Sequence, residues 1–132
     1  MPADTAGLFI LTDGSGLDTG NRITCALLAT ALELGAKPQY RALWDGLPVA
    51  GRNGTLVNRL QGTPLEGHLR AKTGSIEGVV GLTGFVDDAD HLTFAFVADG
   101  AFGERAGRAL QDAVAGLLAQ WPDAPDPASL AP

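Results

Sequence analysis

Thr73 and Ser75 place two hydroxyls two positions apart, with Lys72 ahead of them and Gly74 between. In a strand, alternate side chains share a face, so both hydroxyls project the same way, about 7 Å apart. A pair at that spacing can hold a carboxylate or a carbonyl substituent. Gly74 leaves room for an extended peptide to lie along the strand and pair with it. Lys72 adds a positive charge that attracts an anionic terminus. The chemistry in view is recognition of the carboxylate end of a peptide. A bare K-T-G triplet also fits an ordinary exposed edge strand, so the surrounding sequence must carry the weight.

Other chemistry finds little support. Cys25 is the only cysteine, so no intramolecular disulfide can form, and no Cys/His cluster points to a metal. No cofactor is implied. His68 and His91 stand alone in strand-like segments, where a solvated or hydrogen-bonded role is the better reading. The net charge of −6, with nine basic residues thinly spread, argues against nucleic acid, whose phosphates reward clustered Lys and Arg. No apolar run approaches the roughly 20 residues of a membrane span. The start, MPADTAGLFILTDG, has no basic region before its apolar stretch, so no signal peptide is expected.

The elements that must position Lys72 to Ser75 follow from local pattern. Residues 7–12, GLFILT, read as a short buried strand ended by the turn DGSG. Thr24 is a candidate N-cap for the helix CALLATALEL, with Gly35 as its stop. Leu27, Leu28, Ala31, Leu32 and Leu34 fall mainly on one face, as for a helix packed on a sheet. LPVAGRNG (47–54) reads as an irregular loop, and TLVNRL (55–60) allows about a turn and a half of helix. Segments 68–75, 79–87 and 91–99 read as strands joined by the short links IEG and DAD. Links that short make the strands antiparallel neighbours. A helix over 102–120 carries the stripe Phe102, Ala106, Ala109, Leu110, Ala113, Val114, Leu117 and Trp121, expected to face the sheet. The end, PDAPDPASLAP (122–132), is expected to be a disordered tail after one domain over 1–121. The fold class is α+β, an antiparallel sheet flanked by helices.

Three segments together resemble one family. RAKTGSIEGVVGLTGFV (70–86), DGSGLDTGNRIT (13–24) and LPVAGRNGTLVNRL (47–60) are similar, in order and spacing, to elements of the class C low-molecular-mass penicillin-binding D-alanyl-D-alanine carboxypeptidases, peptidase family S13. Asp18 departs from the serine common at that point of the family pattern. The resemblance implies the C-terminal part of the penicillin-binding/serine β-lactamase-like transpeptidase fold. It implies removal of the terminal D-alanine from peptidoglycan stem peptides through an acyl-serine that β-lactams also form, outside the cytoplasmic membrane. By the same resemblance Lys72 joins the catalytic electrostatics, and Thr73, Gly74 and Ser75 bind substrate. The Ser75 N–H serves as an oxyanion donor. Asp13, Ser15 and Asn21 brace a turn near the site.

Half of that machinery does not occur in these residues. Ser15, Ser75 and Ser129 are the three serines, none followed three positions later by lysine, and Lys37 and Lys72 are the only lysines. An activated S-x-x-K nucleophile is therefore missing, and so is S-x-N. Ser15 lacks the outer glycines of a G-x-S-x-G elbow. The expectation is a carboxypeptidase fragment that holds the substrate strand, is inactive alone, and needs an N-terminal partner segment or associates with itself. The alternative is a non-catalytic module that binds peptidoglycan peptides or another subunit.

Overall fold

The computed structural model describes residues 9–87 and 91–123. Its centre is a three-stranded antiparallel meander of β1 (Leu69–Ile76), β2 (Val79–Val86) and β3 (Leu92–Asp99), in that spatial order. Glu77 and Gly78 form the β1–β2 link, and Gly78 takes a φ of 73° that a side chain would resist. The DAD link lies outside the described residues. Register pairs Thr73 with Leu82, Ser75 with Val80 and Gly74 with Gly81. One face of the sheet thus carries Leu69, Ala71, Thr73, Ser75, Val80, Leu82, Phe94 and Phe96.

That face supplies the core, where Leu69, Ala71, Leu82, Val86 and Phe94 meet Ala50, Leu56, Leu65 and Ala115. Ala115 belongs to α3 (Glu104–Leu118), which lies across this face. The opposite face is covered by α1 (Cys25–Leu34), which packs on β3, and by the short α2 (Ala42–Asp45). Thr24 caps α1 by accepting from the Leu27 N–H at 3.2 Å, and Gly35 follows the last turn, both as the sequence implies. Trp44 of α2 lies against Phe85 and His91, with ring centroids 4.5 and 5.0 Å away, and donates its indole N–H to Leu32 O. His91 thus stacks on Trp44 while staying exposed, and His68 Nδ1 lies 3.3 Å from Asp87 O. The α+β reading holds, with helices on both faces.

Three local expectations need correction. Residues 9–12 do not form a buried strand: Phe9, Ile10 and Leu11 are 37, 58 and 64% exposed, and only Ile10 bridges, to Arg22. The apolar run was legible, but no strand among the described residues lies beside it to bury it. TLVNRL yields a single 3₁₀ turn, Gly54–Leu56, rather than a turn and a half of helix. Most of the stripe predicted for α3 is also on the wrong side, only Phe102 and Val114 being half-buried. The buried positions are Gly107, Gln111 and Ala115, four residues apart, whereas Ala106, Ala109, Leu110, Ala113, Leu117 and Trp121 are exposed. Ala106 and Leu110 each precede a buried position by one residue, which turns them about 100° away. The reason is steric. At Gly107 the helix approaches so closely that an added Cβ would sit 2.4 Å from Val80 Cγ1, and only small residues allow that contact.

Candidate functional site

β1 is an edge strand, and its edge is only partly occupied. Ala50 N–H donates to Leu69 O and Ala71 N–H donates to Pro48 O, both at 2.9 Å. The loop Pro48–Ala50 therefore pairs with the first half of β1. Its shape is held by Asn53, whose side-chain oxygen accepts from Val49 N–H at 2.8 Å. Beyond Ala71 no backbone partner continues the pairing among the described residues. Leu69 and Ala71 direct their backbone groups away from β2, so by strand alternation Thr73 and Ser75 do the same. Lys72 to Ser75 thus present an unpaired edge, the arrangement by which sheets accept an extended peptide.

The side chains there are poised but lightly held. Lys72 is exposed, and its Nζ donates to Thr73 O at 2.7 Å, filling one of the outward acceptors. Thr73 is half-buried and donates its hydroxyl to Thr55 Oγ1 at 2.9 Å. Ser75 is exposed at the mouth of an open cavity of ≈ 800 Å³ that reaches Glu77, Gly100, Phe102 and the start of α3 at Gly103. Thr73 and Ser75 share the face that α3 covers, as alternation requires, with Thr73 at the core margin and Ser75 clear of it.

Asp13, Ser15 and Asn21 come together, but in a separate loop. Asp13 accepts from the Asn21 side-chain amide at 2.7 Å, from Gly16 and Leu17 N–H at 3.1 Å, and from the Ser15 hydroxyl. Asn21 in turn accepts from Thr12 N–H at 2.9 Å. The Asn21 amide, then the Ser15 hydroxyl, hold the Asp13 carboxyl far below the usual carboxylate range. Such a carboxylate is a weak base, so its contact with Ser15 does not activate that hydroxyl. The trio braces a turn, and none of its hydrogen bonds reaches β1 among the described residues.

Sequence reading missed the residues beneath the strand. Gln111, 3% exposed, donates its Nε2 amide to Gly74 O at 2.9 Å and to Gly81 O at 2.8 Å. Arg59 donates Nη1 to Gln111 Oε1 at 2.8 Å and Nε to Asp112 Oδ1 at 3.1 Å. The available signal was a lone polar residue between Gly107 and Ala115 at helical spacing, obscured by the stronger apolar stripe beside it.

Comparison with known proteins agrees with this architecture. The family model for the D-Ala-D-Ala carboxypeptidase 3 (S13) family matches residues 3–121. The chain is 41% identical over 128 residues to a D-alanyl-D-alanine carboxypeptidase of Actinomadura sp., covering 92% of this chain and 23% of that protein. It is 41% identical over 124 residues to carboxypeptidase DacB of Mycolicibacterium smegmatis, covering 87% and 26%. The crystal structure of penicillin binding protein 4 (dacB) from Haemophilus influenzae superimposes with a TM-score of 0.72 at 32% identity, over 86% of this chain and 28% of that one. The same protein complexed with a novel β-lactam gives a TM-score of 0.71. The chain therefore spans about a quarter of the length of these relatives. With sequence match and superposition in accord, the chain belongs to the D-Ala-D-Ala carboxypeptidase 3 (S13) family.

Proposed function

We propose that this chain forms the substrate-strand wall of a serine D-alanyl-D-alanine carboxypeptidase site and does not catalyse by itself. The observation that carries the reading is the edge of β1, paired through Ala71 and, among the described residues, open from Lys72 to Ser75. A D-alanyl peptide lies extended along that edge. Its terminal carboxylate meets the Thr73 and Ser75 hydroxyls in the field of Lys72, whose Nζ leaves Thr73 O to do so. The attacking serine belongs to a segment outside these residues, which contain neither S-x-x-K nor S-x-N. When its oxygen adds to the penultimate carbonyl carbon, negative charge grows on the carbonyl oxygen. The outward N–H of Ser75 receives that charge, a contact worth about 3 kcal/mol in comparable sites. Collapse expels D-alanine and leaves the acyl-serine, which water then hydrolyses. Peptidoglycan stem peptides are the proposed substrate and β-lactams the proposed acylating inhibitors, at a site outside the cytoplasmic membrane.

The test is to incubate the purified chain with a fluorescent penicillin and read a denaturing gel. No covalent label is expected from the chain alone, whereas co-expression with a segment bearing both missing motifs should restore labelling. A stoichiometric label on the chain alone, abolished by Ser15→Ala or Ser75→Ala, would overturn the reading. Failure of every complementing segment, with peptide binding retained, would favour the non-catalytic peptide-binding module.

A further inference from the structure

Gly74 and Ser75 share one peptide unit. Its carbonyl points into the sheet toward β2, so its N–H points out across the open edge. Whatever fixes the carbonyl therefore aims the N–H. Gln111 does so from α3, on the face that carries Thr73 and Ser75: one amide N–H goes to Gly74 O and the other to Gly81 O, the cross-strand partner. The orientation of this amide follows from chemistry. Both carbonyls can only accept and the Arg59 guanidinium can only donate, so Nε2 must face the strands and Oε1 must face Arg59. Arg59 is itself 11% exposed and tied to Asp112, so direct hydrogen bonds lead from an ion pair to the peptide unit.

We propose that Gln111 is a positioning residue that holds the Gly74–Ser75 peptide plane and strengthens the Ser75 N–H as a donor, with Arg59 locking it in place. The inference rests on the proposed role of Ser75 N–H in receiving substrate charge. Its physical basis is cooperative polarisation. The Arg59 charge draws electron density from the Gln111 amide, which draws it from the Gly74 carbonyl, leaving the attached N–H more positive. A leucine or methionine at 111 would fill similar volume without burying a polar group, so packing alone does not call for this amide. Gly74 and Gly81 add to the arrangement by keeping the opposite face of the pair free of side chains.

The experiment is amide NMR on the isotope-labelled chain, with acetyl-D-alanyl-D-alanine as the probe. In the wild-type protein a scalar coupling across the hydrogen bond should link Gln111 Nε2 to the Gly74 carbonyl carbon, and the probe should move the Thr73 and Ser75 amides. Gln111→Met removes both donors and keeps the bulk. It should shift the free-state Ser75 amide proton upfield and, by weakening and misaligning that donor, raise the probe's Kd about fivefold. The β3 amides should stay in place. Arg59→Met should move Ser75 in the same direction by less. Unchanged Ser75 shift and affinity in a folded Gln111→Met variant would overturn the proposal. Should that variant unfold, absence of the scalar coupling in the wild-type protein overturns it equally. A wild-type chain that ignores the probe but shows the coupling and the Ser75 shift would instead sink the peptide-binding reading and leave the positioning device standing.

Discussion

At the scale of single residues, hydrogen bonds decide what each polar group can do. Asp13 accepts from Asn21, Ser15, Gly16 and Leu17, and that saturation favours its ionised form. Its folded value lies below the unfolded one of about 3.9. The loop's stabilisation is thus fully present above that pH and is lost as pH falls through the lower, folded value. The Gly16 and Leu17 amide shifts should stay constant from neutral pH to about 4 and move only in stronger acid. Asn21→Ala removes the largest contributor and should raise the Asp13 midpoint toward the ordinary value, read from its carboxyl carbon. A wild-type midpoint already at the ordinary value would contradict this account. Thr24 has a simpler task. Thr24→Ala leaves the Leu27 N–H without its cap and should cost about 1 kcal/mol in denaturant unfolding.

At the scale of elements, α3 packs on both β1 and β2. The helix reaches the sheet through Gly107, Gln111 and Ala115, and the near contact with Val80 leaves no space at Gly107 for a side chain. Gly107→Val should lift the helix, stretch the Gln111 hydrogen bonds and cost about 1–3 kcal/mol of stability. Ser75 and Gly74 amides should exchange faster in that variant than amides of the β2–β3 pair. Uniform exchange across the sheet would show that α3 does not anchor β1 in particular. A comparable close fit exists on the opposite face, where a Cβ on Gly35 would meet the Trp44 ring at 2.0 Å. There the close fit is between the end of α1 and Trp44 of α2, whereas at Gly107 it is between α3 and the sheet.

At the scale of the whole molecule, apolar surface remains uncovered. Leu110 and Leu117 of α3, and Trp121 just beyond its end, are 39, 45 and 48% exposed, while Phe9, Ile10 and Leu11 are open near the other end of the described chain. Surface of that kind drives association. Sedimentation of the purified chain should show species heavier than the 13.5 kDa monomer as concentration rises. The double variant Leu110→Glu, Leu117→Glu should return it to a monomer without loss of helix. A wild-type chain that is monomeric throughout and melts cooperatively would show that these residues need no cover. The relatives are about four times as long as this chain.

The sequence alone determined the place of the edge strand and the order of the elements. Lys72, Thr73, Gly74 and Ser75 are contiguous, so their relation depends only on strand geometry, and short links leave β1, β2 and β3 no choice but antiparallel pairing. The cap at Thr24 and the stop at Gly35 were equally legible, because capping is local. Three matters awaited the tertiary structure. Burial of residues 9–12 depended on a neighbour that periodicity cannot see. The face that α3 turns to the sheet was set by how closely the backbones approach at Gly107, which outweighed the apolar stripe. The Gln111 and Arg59 contacts under Gly74 join residues 37 and 52 positions apart in sequence. Local pattern fixes what each segment can be, whereas packing across the sheet fixes which surfaces meet, and the support beneath Ser75 exists only because of that meeting.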